Sequence, residues 1–230
     1  DPEEIEAARG EMTLSQFKQE FEASFEDVGN RVAYSFERDH NVKAYEGVKP
    51  KETLIGVDFN RNPISATVGH RSGDEFYVTD EILIYSSNTD ELVQEIHHRY
   101  PNQKVYVFPD PSGSRQQTSS SGKSDHTILS NAGFQVRAPR KHDPVEDRIN
   151  AINARFCNSD GVRRLFVDPK CKHTIESLEK HSYKPGTVIP DKERGHDHVF
   201  DALSYCIAYL YPIRRPAPEP TAQSWSAKVD

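Results

Sequence analysis

The run Leu54-Ile55-Gly56-Val57-Asp58-Phe59, cut off by Asn60-Arg61-Asn62-Pro63, constrains this chain more than any other stretch. An apolar run of that length between turn residues reads as a buried strand. Asp58 is the exception within it. A carboxylate in or at the end of a core strand is costly to desolvate unless a cation or several donors face it. An aspartate that merely caps the following turn would satisfy the same pattern, but Asp58 has company. Val105-Tyr106-Val107-Phe108 is a second buried-strand pattern and runs into Pro109-Asp110-Pro111-Ser112-Gly113. Late in the chain, His196-Asp197-His198-Val199-Phe200-Asp201-Ala202-Leu203 opens a helix that carries two more aspartates. Two strands ending in aspartate and an acidic late helix are what a divalent-metal site needs from an α/β sheet.

The intervening pattern supplies that sheet. Strands are predicted over 64–69 and 75–84, joined by the turn signal Ser72-Gly73-Asp74 and forming an antiparallel meander with the Asp58 strand. A helix over 89–99, capped by Thr89, returns the chain to the 104–108 strand, which a right-handed crossover places parallel to the first. Residues 112–125 are rich in Ser, Gly and Gln and read as a mobile loop after a candidate site residue. A helix over 126–132 and a strand at Gln135-Val136 follow. Asp143-Pro144 reads as a cap with proline at the first helical position, and Asp168-Pro169 as the start of a further helix. The last helix, 197–210, has Val199, Leu203, Cys206, Ile207 and Leu210 on one stripe and Asp197, Asp201, Ser204 and Ala208 on the other. Before all this, a capping box at Thr13 leads a helix with Leu14, Phe17, Phe21 and Phe25 at helical spacing, and a short extended piece is expected near 32–36.

Charge qualifies the choice of partner. The net charge of −7 argues at face value against a polyanion, yet residues 1–48 hold 12 acidic and 5 basic side chains and so carry the whole excess. Residues 137–184 hold 11 basic against 7 acidic side chains, which makes a positive face available for phosphates. Arg140, Lys141, Arg148 and Arg155, with Arg115 and Lys123 in the loop, are the candidate contacts to a phosphate-bearing polymer; an ordinary exposed face reads the same way. Cys157, Cys171 and Cys206 form neither a disulfide framework nor a metal knuckle, so a reducing cytoplasmic setting is the expectation. No apolar run approaches the ~20 residues that span a bilayer. A chain starting at Asp1 without a signal peptide is expected to be an excised piece of a longer protein.

Strand order β-β-β-α-β-α-β followed by helices is the pattern of the ribonuclease-H-like fold, an α/β mixed sheet flanked by helices. There the first and fourth strands are neighbours, so Asp58 and Asp110 would adjoin and a late helix would bring a third carboxylate. The chain resembles the C-terminal nuclease domain of the terminase large subunit, the DNA-packaging motor of tailed bacteriophages. Four stretches carry the likeness: Phe17-Lys18-Gln19-Glu20-Phe21-Glu22-Ala23-Ser24-Phe25, Ile55-Gly56-Val57-Asp58-Phe59, Asp110-Pro111-Ser112-Gly113, and Asp197-His198-Val199-Phe200-Asp201-Ala202-Leu203-Ser204-Tyr205. The last is the most specific, and the resemblance covers residues 13–211. It implies that Asp58, Asp110 and Asp201 are the catalytic metal ligands, with Asp197 and His198 beside the metals. It also implies two Mg²⁺ or Mn²⁺ ions and double-stranded DNA as substrate, cut as concatemers with little sequence specificity. An ATPase domain of the same polypeptide, a small terminase subunit and a portal are the implied partners, in the cytoplasm of an infected host. Residues 1–50 would then be a linker from that ATPase domain, 51–211 the nuclease domain, and 212–230 a disordered proline-rich tail. Asn60 stands where many members have glycine.

Other readings stay open at this point. Asp197 is well placed to be a plain helix N-cap, and periodicity alone makes Asp201 a solvated residue. His196 and His198 could be half of a zinc site, but no partner pair stands at ligand spacing. A resolvase or transposase of the same fold would lack the D-H-x-x-D-A-L-x-Y ending. An actin-like ATPase would need a second Asp-x-Gly loop and a Gly-Gly adenosine motif, and neither is found. A non-catalytic docking module of a packaging motor would be favoured by loss of one aspartate, and all three are present.

Overall fold

Strand β1 (Glu52–Asp58) is buried from Thr53 through Val57, which is why its sequence shows no alternation. A strand covered on both faces reads as a continuous apolar run. Around it lies a six-stranded mixed sheet in the order β5-β4-β1-β2-β3-β6. Strands β2 (Ile64–Ser72) and β3 (Glu75–Ile84) continue antiparallel from β1, as the meander predicted. Strand β4 (Lys104–Pro109) runs parallel to β1 on its other side, β5 (Gln135–Val136) parallel to β4, and β6 (Leu165–Val167) parallel to β3. In this computed structural model the described residues are 12–13, 30–48, 50–60, 62–114, 123–139 and 143–213. The helix expected after Thr13, most of the 112–125 loop and the tail from 214 lie outside them, as do Arg115, Arg140 and Lys141.

Helices cover both faces. On one, α2 (Thr89–Arg99) and α3 (Asp125–Asn131) lay Leu92, Ile96 and Leu129 over Ile55, Val57, Ala66 and Val107. On the other, α4 (Val145–Phe156), α5 (Lys172–Lys180) and α6 (Asp197–Leu210) bring Ile149, Ile152, Ile175, Leu178, Leu203 and Ile207 against Leu54, Phe76, Val78 and Phe108. A short helix, α1 (Arg38–Asn41), precedes the sheet. Met12 and Thr13 are also buried, with the backbone amide of Ser159 donating to the Met12 carbonyl at 3.0 Å.

Several local expectations are corrected. Asn88, not Thr89, caps α2: its side chain accepts from the Glu91 amide at 3.1 Å, while Thr89 turns inward and donates to Asp125 at 2.6 Å. Pro144 occupies the N-cap position of α4 rather than its first turn, and no side chain caps that end. Asp168 does not open α5; its carboxylate accepts from the Lys170 amide in a tight turn, and the helix starts at Lys172. Residues 32–36 are a turn, not a strand. Val32, Ala33 and Phe36 are all fully buried, a spacing that fits a turn closed by the Phe36 amide on the Ala33 carbonyl and not the alternation of a strand.

Candidate metal centre

Register places the first two aspartates. Gly56 is opposite Phe108 and Val57 opposite Pro109, and the Asp110 amide then donates to the Val57 carbonyl at 2.9 Å. Asp58 and Asp110 therefore leave the sheet side by side at the carboxyl ends of adjacent parallel strands. Behind Asp110 the chain turns through a 3₁₀ segment (Pro111–Ser114), with the Ser112 amide bonded to the Asp110 carboxylate at 2.8 Å. His126 from α3 donates its Nε2–H to the Asp110 carbonyl at 2.9 Å and fixes that turn.

The third element arrives because of one glycine. A Cβ built on Gly56 would lie 2.0 Å from the carbonyl oxygen of Ala202 and 3.1 Å from the Cβ of Cys206, so α6 crosses β1 at a distance that no side chain permits. That approach carries Asp197, His198 and Asp201 to the end of β1. Asp197 is 3% exposed and Asp201 8% exposed. The acidic stripe of α6 is thus not a solvated face; α4 covers it on one side and the strand ends on the other.

A lattice of polar contacts ties these groups together. His198 Nδ1 lies 3.2 Å from an Asp58 carboxylate oxygen and 3.7 Å from Asp197. Asn60 Nδ2 lies 2.9 Å from His198 Nε2. A ring with its proton on Nδ1 satisfies both neighbours, donating to Asp58 and accepting from Asn60. Asp201 receives two cations: Arg148 Nη1 at 3.1 Å on one oxygen and Lys192 Nζ at 3.1 Å on the other. Lys192 is also 3.9 Å from Asp197. Arg148 bonds to Ser204 Oγ as well, which itself donates to the Asp201 carbonyl at 2.7 Å, and its guanidinium lies 4.5 Å over the Tyr205 ring.

The electrostatics follow from the crowding. Burial pushes the Asp58 carboxyl above the usual carboxylate range; the nearby charges of Asp201 and Asp110 push the same way, against the His198 hydrogen bond. The bond to Asp58 raises His198, opposed by burial and assisted by Asp197 and Asp201. Burial pulls Lys192 down, but the charges of Asp201, Asp197 and Asp58 prevail and hold it above its ordinary value.

Five expected residues, Asp58, Asp110, Asp197, His198 and Asp201, therefore meet at one end of the sheet. The capping role considered for Asp197 is not found. Asp197 is the first helical residue, His196 is at the cap position, and no cap hydrogen bond forms. Its Oδ1 is instead buried without a hydrogen-bond partner. Among the expected basic contacts, Arg148 is corrected: it is 6% exposed and points into the acidic cluster, because α6 packs over the face of α4 that periodicity assigned to solvent. Arg155 is likewise turned inward, with an Nη1–Asp74 contact of 3.4 Å and its guanidinium 4.0 Å over the Tyr211 ring. Lys123 is exposed just ahead of α3, apart from any of these contacts. Asn60 and Lys192 had no sequence signal of a site role, and Ser204 and Tyr205 stood in the late motif without a role assigned to them; the three-dimensional packing brings all four to the aspartates.

The donor set fits a hard divalent ion. It is rich in carboxylate oxygens, three of its members repel one another, and Asp197 contributes an orphaned buried oxygen. As the side chains stand, no group of three or more His, Cys, Asp and Glu among the described residues is arranged to hold an ion. In this arrangement both oxygens of Asp201 are engaged by Arg148 and Lys192, and one of Asp58 by His198.

Residues 55–210 match the family described as Terminase RNaseH-like domain. The large terminase subunit of Escherichia phage T5 is 27% identical over 234 residues, covering 94% of this chain and 49% of that protein, so the chain spans about half the length of this curated relative. The nuclease domain of the P22 large terminase shares the fold with a TM-score of 0.61 at 17% identity, covering 80% of this chain and 97% of that one. The large terminase nuclease of thermophilic phage G20c, solved with bound cobalt, does so with a TM-score of 0.54 at 14% identity, covering 78% and 97%. The fold is accordingly the ribonuclease-H-like one, a mixed sheet flanked by helices.

Proposed function

This chain belongs to the Terminase RNaseH-like domain family, and on that premise we propose that it is a metal-dependent endonuclease cutting concatemeric double-stranded viral DNA during genome packaging. The observation that carries the reading is the meeting of Asp58, Asp110 and Asp201, from two adjacent strand ends and the helix above them, close enough that the latter two act on the charge of the first. Asp58, Asp110 and Asp201 would hold two Mg²⁺ or Mn²⁺ ions, with Asp197 offering its free oxygen and His198 standing beside them. The cobalt-bound G20c nuclease supports a divalent requirement in a protein of this fold. Bound ions would polarise the scissile phosphate and lower the pKa of an attacking water.

The chain's own groups have separable tasks. Arg148 is shut in with Ser204 and Tyr205 and fixes one oxygen of Asp201. The Nδ1–H of His198 orients the Asp58 carboxylate, and Asn60 orients the ring. This relay of orientation is how a site holds its ligands near the required geometry. Contacts to backbone phosphate carry no base information, which supports cutting with little sequence preference. Within a longer polypeptide the domain would act beside an ATPase domain, with a small terminase subunit and portal as partners, in the cytoplasm of the infected host. Among the described residues no helix is long and apolar enough to cross a membrane.

The test is incubation of the purified chain with supercoiled plasmid, with Mn²⁺, with Mg²⁺, and with excess chelator. Nicking and linearisation at many positions, only with metal, is the expected result. Equal cutting in chelator, or a narrow pattern of cut sites, would overturn it.

A further inference from the structure

Two cations hold the same carboxylate, and they are built differently. Arg148 is enclosed: its side chain is 8% exposed, the Nη1 that meets Asp201 also bonds to Ser204 Oγ, the guanidinium lies over the Tyr205 ring, and Nε is buried without a hydrogen-bond partner. Removing it would strand a charge in the interior. Lys192 stands on the loop between α5 and α6 with its side chain 61% exposed, yet its Nζ comes within 3.1 Å of Asp201 and 3.9 Å of Asp197. The backbone beneath it is tethered. Tyr183 and Pro190 form an antiparallel bridge, the Asp191 amide donates to the Ser182 carbonyl at 2.8 Å, and the Glu193 amide to the Asp191 carboxylate at 3.0 Å. Ser177 on α5 bonds to the His196 carbonyl at the far end of the loop. The ammonium can therefore leave for water by rotating its side chain while the loop remains in place.

We infer that Lys192 is a tethered counter-cation of the acidic centre, which takes the Asp201 oxygen that a divalent ion requires and withdraws when the ion binds. This rests on the reading that the aspartates are metal ligands. In the resting protein Lys192 relieves repulsion among Asp58, Asp197 and Asp201. Its occupancy also lowers the affinity for metal, because only molecules in which the lysine has swung away are competent to bind. Arg148 has no such role. It stays on the other oxygen throughout, so the ion displaces one cation and not two.

The experiment is calorimetric titration of Mn²⁺ into the metal-free chain, with melting in the absence of metal, for the parent, Lys192→Met, Lys192→Arg, Lys184→Met, Asp58→Asn and Asp201→Asn. Lys184 pairs with Glu193 on the same loop and controls for loop disturbance. Lys192→Met should bind Mn²⁺ roughly tenfold more tightly, if the lysine engages Asp201 in about nine molecules of ten, while melting lower than the parent without metal. Lys192→Arg should restore both values, and Lys184→Met should move neither. Unchanged or weaker binding by Lys192→Met, or metal-free melting at or above the parent, overturns the inference. If Asp58→Asn and Asp201→Asn lose Mn²⁺ while Lys192→Met matches the parent, the counter-cation falls and the metal site stands. If the two aspartate variants bind as the parent does, both fall together.

Discussion

The two ends of strand β1 bury polar groups by opposite means. At its finish, Asp58 joins Asp110, Asp197 and Asp201, and the cluster is balanced by Arg148 and Lys192, with His198 donating to Asp58, so charge is met with charge. At its start, His70 on β2 lies level with Thr53, about 17 Å away at the usual strand rise. There the ring is 3% exposed, with neither nitrogen bonded, packed edge-on at 4.0 Å from Tyr45 and stacked 6.1 Å from Tyr77. A cavity lined by Tyr45, Thr53, Asp80, Tyr100 and Gln103 adjoins it. The first solution concentrates carboxylate oxygens beside cations; the second keeps a titratable ring neutral by surrounding it with aromatic surface. One strand therefore holds a charged end and an inert one. The distinction rests on the partners, ionised at one end and aromatic at the other.

The sharpest way to break this contrast is to neutralise the aspartates singly. Asp58→Asn and Asp110→Asn should abolish plasmid cleavage, with loss of several orders of magnitude expected when a group essential to positioning and charge is removed. Stability should separate the sites. Asp58 carries a burial penalty and repulsion from two neighbours, so Asp58→Asn should leave metal-free stability unchanged or slightly higher. Asp201→Asn should also abolish cleavage but should cost about 1–3 kcal/mol, because Arg148 loses its ionised partner in a closed site. Urea unfolding in chelator measures both. Equal destabilisation by Asp58→Asn and Asp201→Asn would show that Asp58 is a structural cap and no member of a repulsive cluster.

Separating α6 from β1 should be felt next. In Gly56→Ala the new Cβ meets a backbone oxygen, which cannot rotate away. Overpacking a core costs about 1–3 kcal/mol, and collision with backbone falls at the upper end. The same variant should lose most of its cleavage although no ligand is altered, since Asp201 rides on the displaced helix. Wild-type cleavage together with wild-type stability would refute the claim that this close crossing sets the centre.

What the sequence displayed and what it concealed divide along the same line. The order β4-β1-β2-β3 was legible because β1, β4 and the meander are contiguous runs with turn residues between them, and the D-H-x-x-D spacing marked the helix that faces them; the three-residue β6 beside β3 was not read as a strand. Helix α4 shows why the rest was not. Arg148 follows an ordinary amphipathic spacing, and periodicity assigns it to solvent; only the packing of α6 over that face makes it an interior partner of Asp201. Lys192 lies in a loop with no period at all, and its place depends on the bridge between Tyr183 and Pro190. Asn60 stands in the turn after β1 with no periodic signal, and its amide holds the His198 ring.

The inert end offers the smallest effect. Burial alone lowers the His70 pKa from its ordinary 6.5. A histidine whose folded value is depressed binds fewer protons folded than unfolded between the two values, so stability rises with pH across that window and is lost as pH falls below 6.5. His181 has the same sign: burial pulls it down, with Asp197 and Asp201 opposing. Replacing His70 by Phe should keep the aromatic packing against Tyr45 and Tyr77, remove two unbonded nitrogens, and leave stability at neutral pH equal or higher. Below pH 6.5 the variant should lose stability less steeply than the parent, with the remaining slope owed in part to His181. Melting temperature against pH in chelator reads this directly. A His70→Phe protein with the parent's acid-side slope would mean that the ring is not held neutral at this end of the strand, and that the acid sensitivity belongs to His181 and the charged end.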